Sequence, residues 1–187
     1  LLVRGSTLDR LARGGDPVVA LYENRGGNKF IDVSAKAGLM ARGWGMGVTV
    51  ADYDNDGSPD FLVTGFGRTF LFHNEGGGFF REQAVAAGVA RAGIWSSGAA
   101  FGDLDGDGLL DLYVASYVQV DAANLPAKGS GANCVYKGVG VFCGPRGLIP
   151  GQGALFRNKG AGKFEDITQP SGIAQAAPPF YSLQPLI

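Results

Sequence analysis

Two different sequence signatures alternate along this chain, and both recur. The first is LYENRGGNKFIDVSAKAGL from Leu21, which returns as LFHNEGGGFFREQAVAAGV from Leu71 and as LFRNKGAGKFEDITQPSGI from Leu155. The second is WGMGVTVADYDNDGSPDFLVTG from Trp44, which returns as IWSSGAAFGDLDGDGLLDLYVAS from Ile94. A fixed period of this kind is typical of folds built from one supersecondary unit per repeat. The chain is therefore predicted to consist of structurally equivalent units.

Each repeat has a sequence pattern that predicts four β-strands. The first signature reads as a β-hairpin, because a Leu-aromatic-x-Asn run and an alternating segment flank glycines that supply the positive φ of a tight turn. The second signature has a strand before an Asp-rich loop, at 47–51 and 98–102, and a β-rich run after it, at 61–63 and 112–114. Four strands in about 50 residues is typical of a propeller blade. The sequence predicts an all-β fold.

The strand that precedes each Asp-rich loop is rich in small residues, among them Gly45, Gly47, Gly98 and Ala99. We interpret it as the innermost strand of a blade, where neighbouring blades converge on a central axis and side chains have the least room. The alternative is a glycine-rich edge strand.

The second signature contains two loops of the form Asp-x-Asp-x-Asp-Gly-x-x-x-Asp, the first Asp loop at 52–60 and the second Asp loop at 103–111. Four carboxylates in one loop repel each other unless a cation lies among them, and hard oxygen donors suit Ca²⁺. The backbone carbonyl at position seven would add a further ligand. Two Ca²⁺ sites are predicted, with ligands from Asp52, Asp54, Asp56, Ser58 and Asp60 in the first loop and from Asp103, Asp105, Asp107, Leu109 and Asp111 in the second.

Three other interpretations of these loops are an EF-hand, a Mg²⁺ site and a pair of metal-free turns. An EF-hand requires Glu at position twelve and flanking helices, whereas position twelve is Val63 or Val114 and a strand pattern follows each loop. Mg²⁺ is disfavoured because it demands octahedral geometry and releases water reluctantly. The remaining alternative is a pair of Asp/Gly-rich turns whose carboxylates bond only to the local backbone.

These motifs resemble the FG-GAP/VCBS repeat family, the blades of integrin-α-like β-propellers, over most of residues 21–173. The combination of LFRNKGAGKFEDIT with CVYKGVGVFCGPRGL is similar, more narrowly, to the ASPIC/UnbV and cartilage-acidic-protein group of secreted or periplasmic proteins. The resemblance implies a calcium-stabilised β-propeller used for adhesion or as a scaffold. Such a propeller has about seven blades, and about three are present here. We therefore expect a partial propeller or a fragment of a longer chain, with exposed edges covered by further blades or by a partner subunit.

We expect residues 1–187 to form a single partial propeller domain. Its expected segments are a blade remnant at 1–39, a blade with a Ca loop at 44–89, a blade with a Ca loop and an insertion at 95–173, and the start of the next blade at 179–187. The insertion, at 117–152, explains why Leu71 and Leu155 are 84 positions apart while Leu21 and Leu71 are 50 apart. It is predicted to be an elaborated loop closed by a disulfide between Cys134 and Cys143, with free thiols as the alternative.

Charge and hydropathy narrow the range of functions. The formal net charge of −1 offers no broad basic field for nucleic acid, and no stretch approaches the ~18 apolar residues of a membrane helix. A disulfide would indicate an oxidising compartment, so we expect a secreted, periplasmic or cell-surface protein. The expected partner is a protein or a glycan.

We expect a non-catalytic binding or scaffold module, because calcium and turns account for the recurrent polar residues. His73 occupies the hairpin position of Glu23 and Arg157, and it is expected to face solvent. Trp44 and Trp95 are expected to pack between blades, and the basic residues Arg68, Arg81, Arg91 and Arg157 to lie at the surface.

Two alternatives to the scaffold interpretation remain open. One is the propeller domain of a calcium-dependent polysaccharide-active enzyme, for which Tyr53, Tyr113 and Lys137 are candidate bases. The other is an accessory subunit of a larger exported complex. Fold alone does not distinguish these functions.

Overall fold

The computed structural model describes residues 1–121, 134–141, 145, 148–176 and 180–185. The predicted all-β fold is confirmed, because the described residues form sixteen strands and only three short helices. The N-terminal elements are β1 (Leu2–Val3), α1 (Leu8–Ala12), β2 (Asp16–Pro17), β3 (Val19–Ala20), β4 (Tyr22–Asn24), β5 (Phe30–Asp32) and β6 (Arg42–Gly43). They form three two-stranded antiparallel pairs, β1 with β3, β2 with β6, and β4 with β5.

The first four-stranded sheet is a continuous antiparallel meander. It consists of β7 (Gly45–Ala51), β8 (Asp60–Gly65), β9 (Phe70–Asn74) and β10 (Phe80–Glu82), in the spatial order β10-β9-β8-β7. The one-turn helix α2 (Ala84–Ala87) follows and ends at Gly88, whose φ of 85° gives the left-handed cap that glycine adopts without strain. Sequence and structure therefore agree on one strand before the Asp loop, one after it and a glycine hairpin.

The second four-stranded sheet repeats this arrangement, with an insertion in the middle. Its strands are β11 (Ile94–Gly102), β12 (Asp111–Gln119), β15 (Ala154–Asn158) and β16 (Phe164–Asp166), followed by α3 (Ile173–Ala176). The insertion contains the short hairpin β13 (Val135–Tyr136) and β14 (Val139–Gly140), while β12 pairs directly with β15. Strand β12 continues to Gln119, past the expected start of the insertion. Cys143 lies outside the described residues, so the disulfide with Cys134 stays a prediction.

The first sheet is buried on both faces. Alternate residues of a strand point to opposite faces, and the aromatic and Val side chains of β8 and β9 pack on one face against Val18 and Leu39 of the N-terminal segment. On the opposite face, Leu62 and Leu71 pack against Leu112 and other side chains of the second sheet. The sheets therefore stack face to face, as blades of one solenoid-like or propeller-like array do.

The inner strands β7 and β11 pack closely against each other. A Cβ atom on Gly47 would lie 2.9 Å from the carbonyl oxygen of Ser97, closer than real Cβ contacts come. Trp44 and Trp95 lie beside this contact with ring centroids 6.4 Å apart, and Phe66 stacks on Trp44. Both strands are the terminal strands of their sheets, and each is covered by a neighbouring segment. Their place nearest a central axis stays a prediction.

Arg91 does not lie at the surface as expected. It is half-buried, and its guanidinium donates to Ser116 Oγ at 2.7 Å and to the carbonyl of Gln152 at 2.6 Å, both in the second sheet or its immediate flank. Its backbone N–H donates to Thr69 Oγ1 beside β9. Burial lowers the pKa of Arg91. The residue therefore links the two sheets. The sequence alone does not predict this link, because it does not show which strands are neighbours.

Candidate metal centres

Each Asp loop connects the inner strand of a sheet to the next strand. The first Asp loop joins β7 to β8, and the second joins β11 to β12. Because strands and not helices flank the loops, an EF-hand is excluded in the structure as it was in the sequence. The two loops also contact each other, since Asn55 Nδ2 donates to the carbonyl of Gly108 at 3.1 Å.

The first Asp loop brings three of its four carboxylates together. Ligand atoms of Asp52, Asp54 and Asp56 all lie within 4.8 Å of one another. Asp52 also accepts backbone N–H bonds from Asp56 at 3.0 Å and from Gly57 at 2.9 Å, which wrap the loop around its first carboxylate. Gly57 has a φ of 87°, and glycine adopts this conformation without a steric penalty.

The second Asp loop has the same geometry. Ligand atoms of Asp103, Asp105 and Asp107 lie within 4.8 Å of one another. Asp103 accepts N–H bonds from Gly106 at 2.8 Å, from Asp107 at 3.1 Å and from Gly108 at 3.0 Å. The sequence match between the loops therefore extends to their hydrogen bonds.

The Asp at position nine of each loop lies at the loop base and is almost fully buried, Asp60 at 1% and Asp111 at 3% exposure. Asp60 accepts backbone N–H bonds from Asn74 at 2.7 Å and Tyr53 at 3.3 Å. Burial raises the pKa of Asp60, although these two hydrogen bonds act in the opposite direction. A buried carboxylate of this kind is stabilised in its charged form by a nearby cation.

His73 was expected to face solvent, and that expectation is wrong. Its side chain is only 16% exposed, and Nδ1 lies 3.2 Å from Asp60 Oδ1 and 3.4 Å from Asp54 Oδ2. These three residues form a further group of possible ligands within 4.8 Å of one another. His73 therefore belongs to the first centre.

Arg157 occupies the equivalent position in the second centre. Its Nη2 atom lies 2.5 Å from Asp105 Oδ2 and 3.9 Å from Asp107 Oδ2. The side chain is 44% exposed, so the guanidinium caps the loop from the solvent side. It was expected to be a surface residue, and its pairing with the loop was missed.

Strand register contains the signal that would have identified both residues. Phe61 pairs with Phe72 in the antiparallel ladder of β8 and β9, so Asp60 and His73 are the next pair along. Leu112 pairs with Phe156, which brings Arg157 next to Asp111 in the same way. Aligning the hairpins with the Asp loops, and not only with each other, predicts these neighbours.

The described residues fit a calcium ion. Among them, the carboxylate oxygen Asp54 Oδ1 is buried without a hydrogen-bond partner, as expected where a cation completes its surroundings, whereas the equally unpartnered His73 Nδ1 is not the oxygen donor that Ca²⁺ prefers. The loop carboxylates also accept hydrogen bonds from the local backbone, as the turn alternative predicts. A carboxylate oxygen has two lone-pair directions, however, and can accept such a bond while it binds a metal. The carbonyls of Ser58 and Leu109 stay predicted ligands. Their N–H groups donate to Asp56 and Asp107.

The three candidate bases of the enzyme alternative lie on separate elements. Tyr53 is only 2% exposed, and burial together with Asp60, Asp54 and Asp56 raises its pKa. Tyr113 lies within β12, and Lys137 is in the turn between β13 and β14. A buried tyrosine with a raised pKa is a poor general base at neutral pH.

Stacked four-stranded sheets with paired acidic loops define a repeat protein built from β-blades. The chain belongs to the FG-GAP-like repeat family, whose pattern matches residues 7–63 and again residues 52–114. The two matches overlap at the first Asp loop, and the second ends after the second Asp loop. The predicted family and blade fold are therefore confirmed.

The chain is similar to cartilage acidic protein 1 of Mus musculus and of Homo sapiens. In each comparison 34% of 87 aligned residues are identical, which is 46% of this chain. The aligned segment covers 14% of the mouse protein and 13% of the human protein, so this chain spans a small part of these relatives. These matches support the narrower resemblance to the cartilage-acidic-protein group.

No helix among the described residues is both long enough and apolar enough to span a membrane.

Proposed function

We propose that this chain is a calcium-binding part of an extracellular or periplasmic β-propeller that binds a protein or glycan and catalyses no reaction. The main support is the geometry of the two Asp loops, in which three carboxylates lie within 4.8 Å of one another. Calcium would neutralise this charge and hold two strands at a fixed separation. The ligands would be the carboxylates and position-seven carbonyls named from the sequence.

A calcium titration of the full-length protein by calorimetry tests the metal sites. Asp54→Ala and Asp105→Ala are each expected to remove one site, because each deletes a central carboxylate of one loop. Affinities of about 10⁻⁴–10⁻³ M are expected, as in other extracellular calcium modules. Asp9→Ala in α1 is the matched control, since it removes the same charge from an exposed position. Unchanged calcium stoichiometry in both loop variants would contradict the proposal.

A scaffold role is supported by the way the chain continues beyond the second sheet. Ser97 Oγ donates to the carbonyl of Ser182 at 2.7 Å, and the N–H of Ser182 donates to the carbonyl of Ser116. A Cβ on Gly98 would lie 2.8 Å from the carbonyl oxygen of Leu183, much as a Cβ on Gly47 would lie 2.9 Å from that of Ser97. Residues 179–187 would then begin the next blade, with further blades or a partner subunit covering that face.

One assay distinguishes a binding function from a catalytic one. The full-length protein is incubated with acidic and neutral polysaccharides, with calcium or with a chelator, and both retention and degradation are measured. Calcium-dependent retention of a glycan or of a co-purifying protein without turnover is expected. Calcium-dependent degradation would overturn the non-catalytic part of the proposal.

A further inference from the structure

The side chain of Asn158 joins the two Asp loops. It is 2% exposed, and Nδ2 donates both to the carbonyl of Leu110 in the second loop at 3.0 Å and to the carbonyl of Tyr53 in the first loop at 2.7 Å. Its backbone N–H donates to Asp111 Oδ1 at 2.9 Å, and its Oδ1 accepts from the N–H of Gly160. One buried residue of the second sheet therefore fixes backbone atoms of both loops.

The equivalent residue of the first sheet makes the same contacts within its own loop and hairpin but lacks the hydrogen bond to the other loop. Asn74 donates its backbone N–H to Asp60 and its Nδ2 to the carbonyl of Pro59, both in the first loop, and its Oδ1 accepts from Gly76. Within the described residues, Asn74 has no side-chain hydrogen bond to a second loop. The repeat itself thus supplies a matched pair: Asn74 positions one loop, while Asn158 positions two.

Tyr53 extends the connection from the loop backbone to the packing between sheets. Its ring packs on Phe164 of the second sheet with centroids 5.7 Å apart and contacts His73 edge-on at 6.2 Å. The backbone of position two in the first loop is thereby fixed against the hairpin that carries Asn158. Because the carbonyl of Tyr53 accepts from Asn158 Nδ2, one residue connects the first loop, the packing between sheets and Asn158.

We propose that Asn158 is a positioning residue that couples the two loops, so that calcium in one loop raises the calcium affinity of the other. This rests on the proposed calcium-binding function. The physical reason is that an ion that orders one loop fixes the shared Asn158, so the second ion orders fewer free groups. The coupling is reciprocal, as binding linkage requires.

The test uses the amide signals of Gly57 and Gly108 in ¹⁵N-glycine-labelled full-length protein, since each N–H is bonded to the first Asp of its own loop. Calcium affinity of each loop is measured with the other loop intact and with it disabled by Asp54→Asn or Asp105→Asn. Disabling either loop is expected to weaken the other at least about fivefold, the lower end of typical coupling.

Two variants separate coupling from simple destabilisation. Asn158→Ala is expected to reduce the coupling to less than about twofold, while Asn74→Ala weakens the first loop and leaves the coupling near its original value. If Asn158→Ala does not fold, the comparison of intact and disabled loops in the otherwise native chain still decides the question. Equal affinities with and without the other loop, or full coupling in Asn158→Ala, would overturn the inference while calcium binding stands. No response of either glycine to calcium would overturn the proposed function as well.

Discussion

At the scale of single residues, the position-two side chain of the first Asp loop is part of the hydrophobic core. Tyr53 is 2% exposed and lies in the core shared by the two sheets, although its neighbours on both sides are the acidic residues Asp52 and Asp54. The second loop has Leu104 at this position, which is 48% exposed. The two loops therefore share the spacing of their carboxylates but differ as packing elements.

Removal of the Tyr53 ring should destabilise the protein severely. Tyr53→Ala leaves a cavity between the sheets, and the free energy of unfolding is expected to fall by about 3–5 kcal/mol, as for other buried aromatic truncations. Urea unfolding in the presence of calcium measures this change in the free energy of unfolding. Tyr136→Ala is the control, because that ring is 66% exposed and its loss should change stability by about 0.5 kcal/mol or less. Similar losses in both variants would contradict the burial of Tyr53.

The raised pKa of Tyr53 predicts a loss of stability at high pH. The unfolded chain ionises this phenol near pH ~10, whereas burial and the neighbouring carboxylates keep it protonated in the folded protein. The folded state then binds more protons than the unfolded state, so stability decreases as pH rises above about 10. Tyr53→Phe should lose less stability than the wild type between pH 9 and 11 (about one unit either side of the unfolded value). Parallel pH profiles would contradict the prediction.

At the scale of strands, the packing of β7 on β11 depends on the absence of side chains at one crossing point. Gly47 faces both the Ser97 carbonyl and Thr64 Oγ1, at 2.9 and 3.1 Å from a would-be Cβ. Where the second sheet approaches β7, only a small residue fits. Larger residues fit elsewhere on the strand. Val48 and Val50 of the same strand are 41% and 61% exposed.

Gly47→Ala should push the two sheets apart. The added methyl group meets a backbone carbonyl that cannot move independently, and a cost of about 1–3 kcal/mol is expected from overpacking. Thermal unfolding measures this cost, with Gly5→Ala as the control. The Cβ atom of that variant would meet only Trp44 Nε1, at an ordinary distance of 3.6 Å. If Gly47→Ala is as stable as Gly5→Ala, the two strands do not pack as closely as described.

The sequence predicts strands and loops better than it predicts the contacts between units. Hairpins, Asp loops and small-residue strands follow from local patterns, because turn glycines and period-two alternation act over a few residues. The exposure of His73 was misjudged and the ion pair of Arg157 was missed, because the carboxylates they face belong to a different signature of the repeat. The double role of Asn158 was likewise invisible, since its Leu-aromatic-x-Asn motif is the same as that of Asn74. Such contacts depend on how one sheet stacks on the next.

At the scale of the whole molecule, the first sheet packs against neighbouring segments on both of its faces. The side chains of β8 and β9 enter two different cores, one with the N-terminal segment and one with the second sheet. The Asp loops lie at one end of these stacked sheets and contact each other through Asn55. Charge at that end therefore acts on the stacking of the units, and calcium should affect the stability of the array as a whole.

Calcium should stabilise the folded protein more with two intact loops than with one. For a dissociation constant of about 10⁻⁴–10⁻³ M, calcium at about 10 mM adds about 1.4–2.7 kcal/mol per site to the free energy of unfolding, because the ion binds the folded state. Denaturant unfolding with calcium, with equimolar magnesium and with chelator measures this increment. Asp54→Ala and Asp105→Ala should each lose at least one site's share, because the remaining loop binds calcium more weakly when the two loops are coupled, and Asp9→Ala should retain both. An increment that is identical for magnesium, or that survives in both loop variants, would mean that calcium acts elsewhere on the protein.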